Sequence, residues 1–127
     1  MSFWRQKVVQ PVLDQDVEVL IAEQRAVLQR DPRNSRAHFV LGTLLHYRGE
    51  RQAALECFRQ AIKNDPSYAA PHVSAGRLLA VDGNLEGALK HARAAERLGD
   101  RSLVELLERY SDEVQASAKA PGEPADG

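Results

Sequence analysis

Apart from scattered carboxylates, five residues of this sequence have side chains that could ligate a metal or act as a nucleophile or base: His38, His46, His72, His91 and Cys57. No two of the histidines stand four residues apart, the spacing that presents two ring nitrogens from one helix, and there is no Cys-x-x-Cys pair. Cys57 lies beside Phe58 without a neighbouring base or glycine-rich turn, which indicates a buried, inert thiol. We therefore predict no catalytic residues, no metal ligands and no cofactor, and a protein that is not an enzyme.

Composition excludes several classes of partner. The chain has 127 residues and a formal net charge of -1, so it lacks the positive surface that nucleic acid or anionic lipid requires. Its apolar runs are far too short to cross a bilayer, and the opening MSFWRQKVVQPVLDQD has no apolar stretch of signal-peptide length. A single cysteine fits a reducing compartment. We predict a cytoplasmic protein with no nucleic-acid partner and no stable membrane insertion.

The middle of the chain contains a repeat with a period of 34 residues. The pairs that are identical at this spacing are His38 and His72, Gly42 and Gly76, Leu44 and Leu78, Leu45 and Leu79, Gly49 and Gly83, Ala54 and Ala88, Leu55 and Leu89, Arg59 and Arg93, and Ala61 and Ala95. A period of this length indicates stacked structural units, none of which can bury its apolar face alone.

Each unit has the pattern of two helices joined by a glycine. Residues 36–48 and 51–64 carry apolar positions at helical spacing, and Gly49 between them can end the first helix in the left-handed conformation. Asp65-Pro66 then stops the second helix. The small residues Gly42 and Ala54 stand where the two helices of a hairpin would cross, so we predict a close approach of their backbones.

This pattern resembles the tetratricopeptide repeat family. The residues that carry the resemblance in the first unit are Leu41, Gly42, Leu45, Ala54, Phe58, Ala61 and Pro66. The second unit keeps Gly76, Leu79, Ala88 and Ala95 but has Ala75, Ala92 and Asp100 in place of the leucine, phenylalanine and proline. The missing phenylalanine at position 92 predicts a hollow that the following helix could fill.

The resemblance implies an all-α, tetratricopeptide-like helical-hairpin solenoid of about 2.5 repeats with a C-terminal capping helix. We expect one domain over residues 1–117: a degenerate first repeat over 1–34, full repeats over 35–68 and 69–102, and the capping helix over 103–117. Residues 118–127 are small, polar and rich in Pro and Gly, so we expect a disordered tail.

The two ends of the solenoid are less regular. We predict one good helix over about residues 15–30, with Asp14 or Asp16 as its cap, because Pro11 should break any earlier helix. The C-terminal helix should start at a capping box formed by Ser102 and Glu105. Its acidic outer face leaves an alternative open, in which it is a movable lid over the binding groove.

In this family the first helix of each repeat lines a concave face, where partner peptides or helices dock. Carried over to this chain, the resemblance implies a partner-binding groove formed by Arg36, Phe39, Thr43, His46, Tyr47, Val73, Ser74 and Arg77. Phe3 and Trp4 either cap exposed apolar surface or act as an N-terminal anchor that grips a partner or a membrane surface.

Two functions from different classes follow. The first is a non-catalytic protein–protein interaction module, an adaptor, scaffold or assembly factor that binds another protein in the groove. The alternative is a structural protein that forms a homo-oligomer through the ends of its solenoid.

Overall fold

The computed structural model describes residues 10–118, and side chains within residues 16–113. This part of the chain folds into helices without any strand. Their bounds are α1 Gln10–Arg30, α2 Ser35–Tyr47, α3 Arg51–Asn64, α4 Ala69–Val81, α5 Leu85–Arg97 and α6 Ser102–Ala118. The prediction of an all-α fold is confirmed. Phe3, Trp4 and the expected tail lie outside the described residues.

The hairpin turns repeat the same backbone geometry. Gly49 ends α2 and Gly83 ends α4, each with a φ of 85°, a conformation that only glycine adopts without strain. After α2, the Glu50 amide donates to the Leu45 carbonyl over 2.9 Å, and after α4 the Asn84 amide donates to the Leu79 carbonyl over 2.8 Å. Both turns therefore end the first helix in the same way and fold the second one back against it.

Glycine allows the two helices of each hairpin to cross at close range. A Cβ atom on Gly42 would lie 2.7 Å from Phe58 Cε1 and 3.1 Å from the Ala54 carbonyl oxygen. A Cβ atom on Gly76 would lie 3.4 Å from the Ala88 carbonyl oxygen and would collide with Leu103. The predicted close approach is confirmed in both repeats.

Leu103 of α6 occupies the place in the second repeat that Phe58 occupies in the first. Both side chains lie against the crossing glycine of their repeat, and both are almost completely buried. Ala92, which replaces the phenylalanine, is buried as well. The following helix therefore fills the hollow that the sequence predicted at position 92.

The helices stack in chain order around one continuous core. Each hairpin packs on the next through its second helix, so α1 contacts α2, α3 contacts α4, and α5 contacts α6. The first helices also meet, α2 with α4 and α4 with α6. Core side chains that belong to this stack include Ile21, Leu41, Leu45, Leu55, Phe58, Leu78, Leu79, Ala92, Leu103 and Leu107.

The start of α1 corrects the sequence prediction. The helix begins at Gln10 rather than near residue 15, so Pro11 lies in its first turn and Asp14 and Asp16 lie inside the helix instead of capping it. Proline is tolerated there because an amide of the first turn has no acceptor within the helix. The far end keeps the period: α1 ends at Arg30, 34 residues before the end of α3 at Asn64.

The start of α6 differs from its prediction too. The Ser102 hydroxyl and amide both donate to the Asp100 carboxylate, over 2.6 Å and 2.9 Å. The hydroxyl is thus engaged by the preceding turn, and the predicted capping box with Glu105 is replaced by this Asp100 interaction.

Candidate partner-binding face

The predicted groove residues lie on one face of the first helices. On α2 they recur every three or four residues from Arg36 to Tyr47, and on α4 they run from Val73 to Arg77, so each set follows one side of its helix. The opposite side of α2, with Leu41 and Leu45, faces the core. We call this set of eight residues the inner face: Arg36, Phe39, Thr43, His46, Tyr47, Val73, Ser74 and Arg77.

Five members of the inner face are exposed to solvent: Arg36, Thr43, His46, Tyr47 and Arg77. Ser74 is half-buried. The Thr43 hydroxyl donates to the Phe39 carbonyl over 3.1 Å, so its hydrogen-bonding capacity is partly used within α2. The exposed part of the inner face therefore consists of an aromatic ring, two guanidinium groups, an imidazole and small side chains.

Phe39 and Val73 form the floor of the inner face and expose little surface of their own. The Phe39 ring is half-buried between Phe58 and Tyr68, with ring centroids 5.8 Å and 5.4 Å away. Val73 belongs to the core. Their packing role was not apparent from the sequence, because Tyr68 reaches Phe39 from the turn between the repeats. That the inner face contacts a partner stays a prediction.

Arg77 lies near the carboxylate at the end of the second repeat. The pKa of Asp100 is below its ordinary value, first because of the hydrogen bonds from Ser102 and further because of the positive charge of Arg77. The positive charge of Arg77 thus acts on the α5–α6 turn, while its side chain is exposed to solvent.

The histidines serve the repeat structure. His38 Nε2 lies 2.8 Å from the Pro32 carbonyl oxygen, and His72 Nε2 lies 3.4 Å from that of Pro66, so both bridge to the turn before their helix. His72 does not approach His38; its Nδ1 atom lies 3.2 Å from Nδ1 of His91, a pair that sequence spacing did not reveal. Across the described residues, no cluster of three potential ligands could hold a metal ion.

Burial changes the proton affinity of two groups outside the inner face. The pKa of His91 is lowered by burial, and further by the neighbouring His72 and the positive charge of Arg59. The pKa of the half-buried Cys57 thiol is raised by burial and by Glu56, against an opposing effect of Arg25. A raised pKa disfavours the thiolate, which is consistent with an unreactive cysteine.

An apolar groove lies between α5 and α6, and the sequence pattern did not predict it. It has a volume of about 650 Å³ and is lined by Leu85, Leu89, Arg93, Glu96, Val104, Leu107, Glu108, Tyr110 and Ser111. We call it the end groove. Leu89 is 43% exposed there, whereas Leu55, its equivalent one repeat earlier, is only 4% exposed. The available signal was Leu85, which stands where the first repeat has Arg51.

These hairpins, their shared core and the exposed faces of the first helices define a helical-repeat solenoid. Residues 41–103 match the family model of the tetratricopeptide repeat, and the fold agrees. The chain is a tetratricopeptide repeat protein. In the described part of the chain, no helix is both long and apolar enough to span a membrane.

Among solved structures the chain is similar to MamA. A crystal structure of MamA aligns with a TM-score of 0.63 and 19% identity over 65% of this chain and 48% of the other. MamA MSR-1 C2 gives a TM-score of 0.60 and 26% identity over 69% and 51%, and MamA AMB-1 C2221 gives 0.59 and 25% over 66% and 49%. The chain therefore spans about half the length of the MamA chains it matches. No curated protein matches the sequence.

Proposed function

We propose that the protein is a non-catalytic interaction module that holds a peptide or helix of another protein against its inner face. The observation that carries this proposal is the side of α2 and α4 on which Thr43, Tyr47 and Arg77 remain exposed, whereas the leucines on the other sides of these helices are buried by hairpin stacking. The tetratricopeptide fold is in general a protein-interaction fold, which supports the same proposal.

The chemistry of the inner face suits protein recognition. Tyrosine and arginine are enriched among residues that dominate binding energy, and Tyr47, Arg36 and Arg77 are all exposed. The half-buried Phe39 ring provides an apolar floor between them. A partner segment that carries an acidic residue beside an apolar one would satisfy both features. In the cell we place this module in the cytoplasm as an adaptor, scaffold or assembly factor.

The test is affinity capture from the native cell with quantitative mass spectrometry, comparing the wild-type chain with the double variant Tyr47→Ala, Arg77→Glu. Both residues are exposed, so the variant should keep its helicity. Phe39 is left unchanged, because its removal would disturb the packing around Phe58. Partners held by the inner face should fall to the level of an empty-resin control.

A matched control is the double variant Tyr110→Ala, Arg93→Glu, which changes the same residue types in the end groove. Tyr47 and Tyr110 are both 52% exposed, so the two variants remove similar amounts of aromatic surface. The control should capture the same proteins as the wild type. Equal capture by all three chains would refute binding through the inner face.

Self-association is a second candidate, favoured by the end groove. Leu85, Leu89 and Tyr110 expose apolar surface at the C-terminal end of the solenoid, where another copy could cover it. Sedimentation velocity over a hundredfold concentration range, about as wide as is needed to detect weak association, tests this idea. A monomer at every concentration would rule it out, whereas association that Leu89→Asp abolishes would support it.

A further inference from the structure

One side of α1 is exposed where the equivalent side of the other second helices is completely buried. Leu20 is 42% exposed and Val27 is 37% exposed. Two equivalent alanines of α3 and two of α5 have no exposed surface: Ala54, Ala61, Ala88 and Ala95. Ala54 and Ala88 lie where the first helix of their own hairpin crosses, because their carbonyl oxygens contact the crossing glycines Gly42 and Gly76. The exposed side of α1 is therefore the side that a first helix would cover.

No described helix covers this side. Among the described helices α1 contacts α2 alone, through the side that carries Val17 and Ile21, both buried. Leu20 and Val27 follow the adjacent side, with the half-buried Gln24 between them. Two exposed branched side chains on one helix face, at positions that are alanine elsewhere in the repeat, indicate a surface adapted to an occupant whose backbone lies farther away than that of a regular repeat helix.

The residues that precede α1 have the composition and the length to be that occupant. Residues 1–9, MSFWRQKVV, contain Phe3, Trp4, Val8 and Val9. Trp4 stands six residues before Gln10, which in an extended chain spans about 20 Å, while Leu20 lies about 15 Å along the helix from Gln10. Trp4 can thus reach Leu20 if the chain reverses before α1, whereas Val27, about 25 Å along, is at the limit of reach.

The charges of residues 1–9 are opposite in sign to those beside the exposed side of α1. Lys7 stands three residues before Gln10, a reach of about 10 Å, and Asp16 lies about 9 Å along the helix. Glu23, near the reach of Arg5, is the next acidic residue on this side, and both Asp16 and Glu23 are exposed. A chain that runs back along α1 would therefore place its two basic residues near two carboxylates.

We propose that residues 1–9 fold back along α1 of the same chain and place Phe3 and Trp4 against Leu20, in the position that the first helix takes in the full repeats. A tethered segment has an effective concentration in the millimolar range for its own chain, so docking within the chain precedes docking on a second copy at ordinary protein concentrations. The segment then covers the exposed side of α1 in the degenerate first repeat.

The fluorescence of Trp4 tests this proposal, because Trp4 is the only tryptophan of the chain. Its fluorescence in the full-length protein should be shifted to the blue of the free amino-acid derivative, with acrylamide quenching several-fold slower. Leu20→Asp should move the emission back to the red and restore fast quenching. The variant should retain the circular dichroism of the wild type, because Leu20 is already partly exposed.

Val19→Asp is the matched control. Val19 is the neighbouring residue on α1 and is 54% exposed, but it points about 100° away from the side that carries Leu20. This variant should keep the wild-type emission. A wild-type emission and quenching rate equal to those of free tryptophan, or an equal response to both substitutions, would overturn the proposal. A blue shift that grows with protein concentration, or one that requires anionic vesicles, would also overturn it in favour of a second copy or a membrane.

Discussion

Gly42 shows how a single residue sets the distance between two helices. The Phe58 ring and the Ala54 carbonyl lie where a Cβ atom of residue 42 would have to be. The Phe58 ring is part of the hydrophobic core and also contacts the half-buried Phe39 ring. It therefore has little room to move. The spacing of α2 and α3 therefore depends on the absence of one methyl group.

We expect Gly42→Ala to lower the free energy of unfolding by about 1–3 kcal/mol, the usual cost of inserting a methyl group into a packed core. This loss would exceed the gain in helix propensity, which is about 1 kcal/mol. Chemical denaturation followed by circular dichroism measures the difference. Thr43→Ala, on the exposed side of the same turn, is the control and should change stability little. A Gly42→Ala variant more stable than wild type would show that the helices can separate freely.

The burial of His91, next to His72, makes the stability of the fold depend on pH. The folded protein lowers the pKa of His91 below the ordinary value of 6.5, so below that value the unfolded chain binds more protons than the folded chain. The contribution of His91 to stability should thus be complete above about pH 6.5, fall as the pH drops from there toward the lowered pKa, and level off below it. Thermal melts between about pH 8 and pH 5 measure this slope.

The His91→Gln variant should have a shallower pH dependence than the wild type, because its side chain does not titrate. The control is His46→Gln, the same substitution at an exposed residue of α2, and an equal change of slope in both variants would contradict the prediction. If His91→Gln and wild type lose stability equally on acidification, another group governs the transition.

At the scale of whole elements, α6 completes the second repeat. Leu103 lies against Gly76 and is fully buried, and Leu107 is nearly so. A chain that ends at Gly99 would lose both side chains and expose the crossing of α4 and α5. Two buried leucines contribute about 3–6 kcal/mol, comparable with the entire stability of a small domain.

We expect the chain that ends at Gly99 to be largely unfolded or aggregated, whereas a chain that ends at Ala118 should behave as the full length does. Leu103→Ala in the full chain should cost about 2–5 kcal/mol. Size-exclusion chromatography and thermal melts distinguish these chains. A soluble, monomeric and cooperatively folded chain ending at Gly99 would instead favour the alternative in which α6 is a movable lid.

The helices show what the sequence could predict and what it could not. The 34-residue period located α2 to α5 within a residue or two, because glycine turns and small crossing residues recur with it. Helix α1 starts earlier than predicted. A proline can stand either where a helix breaks or in the first turn of a helix, and the sequence around Pro11 does not distinguish the two cases. The contact of His72 with His91 depends on the rotation of α4 against α5, which the spacing of residues does not reveal.

The sequence predicted which side of each helix forms the inner face but not how deeply each of its residues is buried. Periodicity indicates that Phe39 and Val73 share a side with Thr43 and Arg77. It does not indicate that Tyr68 covers the Phe39 ring or that neighbouring helices cover Val73. The end groove escaped prediction for a similar reason, since the fit of α6 against α5 depends on three-dimensional packing.

For the whole molecule, stability should be highest in the middle of the stack. The helices α3 and α4 have packed neighbours on both sides, whereas α1 contacts only α2 among the described helices. In a solenoid, stability is nearly the sum of the units and their interfaces. Native-state hydrogen exchange should thus show the strongest protection in α3 and α4 and the weakest in α1.

The same experiment on Leu103→Ala provides a control for this distribution. Protection should fall most in α6 and in the part of α4 around Gly76, which lose the contact made by Leu103, and least in α2. A uniform fall in protection over all helices would mean that the chain unfolds only as one cooperative unit.

The contact pattern also has a mechanical consequence. No two described helices more than two places apart along the chain touch each other, so no contact ties the first hairpin to the last helix. Such a stack behaves as springs in series, in which a small change in the angle at each junction adds to a larger change in overall curvature. The separation of α2 and α4 along the inner face is thus an elastic property, which small changes of angle can adjust without the rupture of any individual contact.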